Sequence, residues 1–337
     1  MNKQNVTIYD VARESGVSMA TVSRVVNGTS NVRPSTKKKV MDVIEKLNYR
    51  PNEVARGLAS KKTTTVGVII PDVTNNYFAS LARGIDDIAA MYKYNIILAN
   101  SDGKEKKELK VINTLLSKQV DGIIFMGNEI TPAIRKSFKD ANVPIVLAGS
   151  VDSKKTVPSV NINYKNAIEN VTSELINHHN KKIAFVSGDL RHSINADHRL
   201  KGYCDALSKH DIQYNQNYVF ETNESYKDGY EISQNIVDQK ISAAVVTDDS
   251  LAAGILNWMT DHNISVPDDF EIITSNDTQI TEMTRPKMSS ITQPLYDIGA
   301  VAMRLLTKIM NGDIEDKYKE NDVLLQYGVI NRESTRK

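Results

Sequence analysis

Apolar residues recur at two different periods along this chain, and the change from one to the other divides it. Over the first fifty residues the period is helical. Ile8, Val11 and Ala12 follow Thr7, Val22, Val25 and Val26 follow Ser18, and Gly16 stands between the two sets. Thr7 and Ser18 are good helix N-caps, Thr7 with a hydroxyl for an orphan N–H, and Gly16 suits a tight turn. Two short helices with almost nothing between them are therefore predicted. A third is predicted from about 35 to 47, with Val40, Ile44 and Leu47 inward. Arg50-Pro51-Asn52 then breaks the chain, and Asn52 can cap a helix through Leu58 that is too short to be stable alone.

From Thr64 onward, short apolar runs alternate with amphipathic stretches. Strands are predicted at 66–72, 95–102, 121–127 and 144–150, then at 182–189, 243–249 and 271–277. Helices are predicted near 76–92, 105–118 and 131–140, then near 165–179, 196–210, 226–239 and 250–262. Alternation of this kind predicts parallel, doubly wound sheets, and two such series predict two lobes with a cleft between them. The fold class is thus a small all-α helix-turn-helix headpiece with a hinge helix, followed by a two-lobed α/β core. Most strands end in polar or small residues, among them Asp72, Asp102, Asp189, Asp248 and Asp277. Ligands bind at the carboxyl ends of such strands.

Charge sharpens the division. Of the 42 Lys and Arg, 12 lie in residues 1–62, against 5 of the 41 Asp and Glu. A basic module on an acidic body suits phosphate binding confined to one end. Two helices packed across a turn present the second to a major groove, and its outer face carries Met19, Ala20, Thr21, Ser23 and Arg24. Small side chains let the helix approach base edges, and Arg24 can reach guanine O6 and N7. The Lys37–Lys39 cluster opposes its helix dipole and suits phosphates or plain solvation equally.

The chain holds no GxxxxGK[ST], GxSxG or HExxH pattern, so enzyme chemistry is not expected. His178 and His179 are adjacent and diverge on a helix, and no metal site is expected. Asp248-Asp249 fits acid–base work or acceptance of hydrogen bonds in a cleft equally well. Cys204, the single cysteine, reads as a small packing residue on a helix. No apolar signal core or membrane-length run occurs, so a cytoplasmic address without membrane association is expected.

The stretch TIYDVARESGVSMATVSRVVNG (7–28) resembles the DNA-binding headpiece of the LacI/GalR family of transcription regulators. LNYRPNEVARGLAS (47–60) resembles that family's hinge, and the similarity runs over essentially the whole chain. The resemblance implies a headpiece at 1–50, a hinge helix at 51–62 and a core at 63–337 like that of periplasmic sugar-binding proteins. Three crossings between lobes are implied, giving an N-lobe of about 63–162 and 291–323 and a C-lobe of about 163–290 and 324–337. Double-stranded operator DNA would meet Thr7, Tyr9, Ser18, Met19, Ala20, Thr21, Arg24 and Asn31 of the headpiece, and Ala55 and Leu58 of the hinge. Leu58 aligns with the family's intercalating leucine, which needs a second copy beside it and so implies a homodimer. No terminal heptad repeat follows VLLQYGVINRESTRK, so a tetramer is not expected.

For the cleft the resemblance implies an effector, with a small sugar phosphate the candidate and no cofactor. Arg199 in HRLKGY matches the family's effector-contacting arginine, and Asp248, Gln293 and the SNDT turn (275–278) fall on other pocket positions. Asn276 stands where the family usually has Asp, with Asp277 after it. Tyr77 and Phe78 suit ring stacking, although core packing is the commoner use of aromatic residues at a helix start.

YDIGAVAMRLLTK (296–308) is more particular. On a helix, Asp297, Ala300, Val301, Arg304 and Lys308 share one face beside Tyr296, with small residues that permit close approach and a cationic pair at i,i+4. Such a pair suits a phosphoserine, or merely a helix C-terminus. Together with KKTTTVGVIIPD (61–72), it resembles the catabolite-control branch of the family. There this face binds the phosphocarrier HPr phosphorylated on a serine. The resemblance assigns the phosphate to Arg304 and Lys308, bordered by Asp87, Met91 and Tyr92 of the other subunit. The alternative is a family repressor governed by a small sugar or purine in the cleft, with no protein corepressor.

Overall fold

The computed structural model describes residues 6–28, 32–50, 62–313 and 322–336. The chain divides into two compact units, Met1–Thr63 and Thr64–Lys337. Asn31, Ala55 and Leu58, like the expected hinge helix, lie outside the described residues.

In the first unit, α1 (Ile8–Ser15), α2 (Met19–Val26) and α3 (Pro34–Leu47) enclose a small core. Val11, Val22 and Val40, one from each helix, are completely buried, with Ala12, Val25 and Val43 around them. Val43 is more deeply placed than the expected Ile44 and Leu47, which flank it half-buried. Gly16 sits at φ 64° and returns its N–H to the carbonyls of Ala12 and Arg13, ending α1 in the left-handed conformation glycine adopts freely. Ser18 caps α2 by accepting from the Thr21 N–H at 3.3 Å. Thr7 is the N-cap of α1 and forms a capping box with Asp10. Its N–H and its hydroxyl both donate to the Asp10 carboxylate, at 3.0 and 2.7 Å. Those bonds, the hydroxyl's first, hold the Asp10 carboxyl below its ordinary range.

The second unit is built on two six-stranded sheets. Its elements are β1 (Thr65–Ile70), α4 (Asn76–Met91), β2 (Asn95–Asn100), α5 (Glu105–Ser117), β3 (Gly122–Phe125), α6 (Pro132–Asp140), β4 (Ile145–Ala148) and β5 (Ser159–Ile162). There follow α7 (Tyr164–Asn177), β6 (Ile183–Ser187), α8 (Lys201–Lys209), β7 (Val219–Glu221), α9 (Tyr226–Asp238) and β8 (Ala243–Val246). The chain continues through α10 (Asp249–Asp261), β9 (Glu271–Thr274), α11 (Gln279–Met283), β10 (Ser289–Thr292), α12 (Leu295–Asn311), β11 (Asp322–Leu325) and β12 (Gly328–Ile330). The first sheet runs β11-β5-β4-β3-β1-β2, all parallel. The second runs β12-β10-β9-β8-β6-β7, with only β12 antiparallel. Central strands such as β3, β4 and β8 are buried along their whole length because helices cover both faces.

Strand order places the crossings. The chain leaves the first sheet after β5, re-enters it through β11 and ends in the second with β12. Because β10 pairs with β9 and β11 runs to Leu325 beside β5, the later crossings follow Thr292 and Leu325, close to the expected positions of about 290 and 323. In each sheet the order reverses once, at β1 between β2 and β3 and at β6 between β7 and β8, and the crevice at such a reversal is the binding position of this architecture.

Both lobes also contain unusually close helix crossings. A Cβ on Gly84 of α4 would fall 2.0 Å from the Tyr296 carbonyl oxygen, and one on Gly299 of α12 would fall 2.0 Å from that of Leu81. In the second lobe Gly229 and Gly254 stand in the same reciprocal relation to Leu251 and Tyr226. The C-terminal segment is tied down by Glu271 of β9, fully buried, which accepts from Asn180 Nδ2 at 2.6 Å and the Arg336 N–H at 2.8 Å and meets His178 Nδ1 at 2.7 Å. His178 is thus engaged with a carboxylate, and His179, at φ 70°, follows the end of its helix.

Candidate functional site

On the headpiece, burial of Val22 and Val25 turns the opposite side of α2 outward. Met19, Ala20 and Arg24 are exposed, with Thr21 and Ser23 half-exposed beside them, and Thr7, Tyr9 and Ser18 extend the same exposed set. Lys37, Lys38 and Lys39 of α3 are exposed as well. A helix with small side chains, one guanidinium and flanking hydroxyls fits base edges and phosphates.

Between the lobes lies a cavity of about 60 Å3 bordered by the strand ends of both reversal points. Tyr77, Arg199, Asp248 and Asn276 line it together with Asn75, Asn128, Asn195, Glu224 and Thr247. Arg199 and Asn195 lie one π turn apart in a wide-turned segment, Ile194–Leu200, that runs into α8, and Arg199 Nη1 donates to Asn195 Oδ1 at 2.9 Å. The guanidinium also sits 5.4 Å over the Tyr164 ring and 4.0 Å from Glu224 Oε1. Glu224 is further held by the Thr247 hydroxyl at 3.2 Å, in space that Gly188 leaves open.

Two cleft expectations are corrected, those for Asp277 and Gln293, and Tyr77 shows the core packing that is commoner at a helix start. Asp277 does not line the cavity; at φ 51° its carboxylate turns away to pair with Arg332 at 2.7 Å. Gln293 stands behind the wall, where its amide donates to Asn276 Oδ1 at 3.0 Å and so orients that residue. Tyr77 is almost wholly buried, packed edge-on to Phe78 with its hydroxyl 3.4 Å from that of Tyr164, so its ring offers no free stacking face. Asp248 caps α10 through the N–H groups of Ser250 and Leu251, whereas Asp249 holds the 274–278 turn by accepting from the Thr274 hydroxyl and the Thr278 N–H, both at 2.7 Å. The two carboxyls therefore serve separate structures rather than acting as an acid–base pair.

Burial, then the charges of Glu224 and Asp249, push the Asp248 carboxyl up to about 7. Its pKa is thus above the unfolded value, and the folded protein binds the extra proton between about pH 4 and 7. Stability should fall as pH rises through that window, and Asp248→Asn, which keeps the cap acceptor, should flatten the fall. Urea unfolding midpoints at pH 5 and 8 for the two proteins measure it; equal slopes would place the titration elsewhere.

On the first lobe, α12 packs against α4 and leaves one face in solvent. Tyr296, Asp297, Arg304 and Lys308 are exposed there and Val301 is half-exposed. Neither Arg304 nor Lys308 makes a side-chain hydrogen bond or ion pair among the described residues. Ala300 corrects an expectation. It is 4% exposed, because the small residues of this helix admit α4 of the same chain rather than an outside partner. Asp87 is half-buried, ion-paired to Arg83 at 2.8 Å and accepting from the Tyr296 hydroxyl at 3.1 Å, while Met91 and Tyr92 are exposed at the end of α4.

Comparison with known proteins assigns this assembly. A family model described as bacterial regulatory proteins, lacI family, matches residues 7–52. One for periplasmic binding proteins and the sugar binding domain of the LacI family matches residues 63–306. The chain belongs to the LacI family. Within that family it is 55% identical over 331 residues to catabolite control protein A of Streptococcus mutans, covering 98% of each chain. It is 51% identical to catabolite control protein A of Priestia megaterium, over 98% of this chain and 100% of that one. A crystal structure of the transcription regulator CcpA of Lactococcus lactis superposes with a TM-score of 0.76 at 46% identity, over 81% of this chain and 99% of that chain. A LacI-family headpiece on a two-lobed core, with relatives of this name, makes the chain a transcription regulator of the catabolite-control type. Its family is one of regulators rather than enzymes. Among the described residues no helix is long and apolar enough to cross a membrane.

Sequence reasoning passed over Glu224, Asn195 and Thr247. Asn195 had a signal, standing four residues before Arg199; Glu224 had none, since it sits in a loop with no strand-end pattern to mark it.

Proposed function

We propose that the chain acts in the cytoplasm as a homodimer that binds pseudopalindromic operators, and that HPr phosphorylated on serine is its corepressor. The observation that carries this reading is the pair Arg304 and Lys308, exposed on α12 at i,i+4 spacing with no partner among the described residues. A guanidinium beside an ammonium receives a phosphate dianion well, and Tyr296, Asp297 and Val301 give the same face a mixed rim for a protein surface. Met91 and Tyr92, exposed at the end of α4, extend the docking area from the second subunit, with Asp87 beside them. Docking stabilises the arrangement that brings two headpieces and their hinges together, with Ala55 and Leu58 in the minor groove, so operator affinity rises without new base contacts.

The cleft favours this reading over a small effector acting alone. A volume of about 60 Å3 is small beside the roughly 300–1,000 Å3 of small-molecule sites. A sugar phosphate would also find Arg199 facing Glu224, with Asp248 beside it. Anisotropy of a labelled operator, titrated at one fixed salt concentration, decides between the two. Tighter binding with serine-phosphorylated HPr, and not with unphosphorylated HPr or a panel of sugars, sugar phosphates and purines, is the expected result. A response to a small molecule alone would overturn the corepressor.

Arg24→Ala should weaken operator binding by about 1–3 kcal/mol and relax base preference at one position in each half-site. Competition among single-base operator variants measures it, and a uniform loss across all variants would make Arg24 a phosphate contact.

A further inference from the structure

A second cavity, about 220 Å3, opens at the mouth of the cleft with walls of opposite charge. Its first-lobe wall carries Glu105 and Glu108 of α5 and Glu129 after β3; its second-lobe wall carries Arg191 and His192 after β6. Glu108 is the unusual member. It is 3% exposed, yet its carboxylate is in no hydrogen bond or ion pair among the described residues, and it faces the cavity. An ionised carboxylate in so shielded a place, open only toward the cavity, gains from a cationic partner there. Burial, then Glu105 and Glu129, push its carboxyl up to about 7. A metal ion does not answer this need, since among the described residues no three His, Cys, Asp or Glu converge closely enough to hold one.

We propose that this cavity is a binding site for a small zwitterion, a free α-amino acid, whose ammonium group lies against Glu108 and Glu129 and whose carboxylate lies against Arg191 and His192. An ammonium supplies up to three donors to the unpartnered carboxylate and its neighbour. Across the cavity, Arg191 is anchored by Asp189 through Nε, at 2.9 and 3.0 Å, and through Nη2, leaving Nη1 for an incoming carboxylate. Asn128, shared by both cavities, joins this site to the cleft. Because the two charged walls belong to different lobes, the bound molecule ties one lobe to the other. This site is separate from the α12 face and does not depend on the corepressor reading.

Titration calorimetry of the full-length protein, without DNA or HPr, tests the site with L-serine, L-glutamine and L-aspartate, using ethylammonium and acetate as half-ligands. At least one amino acid should bind saturably at millimolar concentration or below. Glu108→Gln should weaken it at least about tenfold, as expected for loss of a charge-assisted contact. Arg191→Ala should weaken the amino acid similarly while leaving ethylammonium unchanged. Glu108→Gln removes an unpartnered charge and should fold, which circular dichroism checks; Glu129→Gln provides a second, half-exposed probe of the same wall. Absence of saturable binding by every amino acid would overturn the proposal, and so would binding that all three substitutions leave unchanged.

Discussion

Arg304→Ala should abolish the gain in operator affinity proposed for serine-phosphorylated HPr, and leave the weaker affinity of the protein alone where it was. Arg304 lies on the solvent side of α12, whose other sides are fixed by Ile298, Ala302, Met303, Leu305 and Leu306 in the core, so the guanidinium is presented by a rigid helix. A phosphoserine carries close to two negative charges and three acceptor oxygens, and the fork of an arginine engages two of them at once. Losing charge-assisted bonds of this kind costs about 1.5–3 kcal/mol, so the complex should weaken roughly 10- to 150-fold. Arg304→Lys keeps the charge without the fork and should recover part of the gain; Lys308→Ala, which removes a point charge, should cost less. Lys308 also lies in the last turn of α12, where charge alone favours the helix dipole. A purely structural role would lower the unfolding midpoint and leave phosphocarrier coupling intact. Persistence of the coupling in Arg304→Ala would sink the assignment.

The same helix shows how far the sequence could be read. The facing of Asp297, Arg304 and Lys308 followed from a 3.6-residue period, and those three side chains are exposed together. Ala300 satisfies that period equally well, but periodicity cannot say which neighbour fills the space beside a small residue. The neighbour is α4, brought there by a chain crossing after Thr292 that no local pattern announces. The central strands were legible because a parallel strand buried on both faces leaves a continuous apolar run. The strands β5, β7, β10, β11 and β12 were not, being three or four residues long and polar in part, as in SVNI and SSIT. In the cleft, Asp248 stood at a strand end, whereas Arg199 was marked only by the family resemblance of HRLKGY. The fate of Asp277 depended on Arg332, 55 positions away in the chain, and only tertiary structure reveals such a partner.

Gly84→Ala should be among the most damaging single-methyl additions in the second unit, and it should impair the docking face without altering any residue on it. The added Cβ would lie 2.0 Å from the Tyr296 carbonyl oxygen and 2.9 Å from the Ala300 nitrogen. Both are backbone atoms inside a helix and cannot rotate aside, so α12 itself must move. Overpacking of this kind costs about 1–3 kcal/mol, and occasionally more. The better helix propensity of alanine returns at most about 1 kcal/mol. A net loss of 1 kcal/mol lowers the melting temperature of a unit this size by about 2–4 °C. Gly229→Ala supplies the control, because its Cβ meets the Leu251 carbonyl oxygen at 2.1 Å in the other lobe. Both variants should melt early, but only Gly84→Ala should also lose affinity for serine-phosphorylated HPr when measured well below the melting temperature. Equal loss of docking in the two would mean that the lobes respond as one body. A Gly84→Ala protein that melts no earlier than its parent would show that the α4–α12 crossing has slack, and that the position of Arg304 is not held by it.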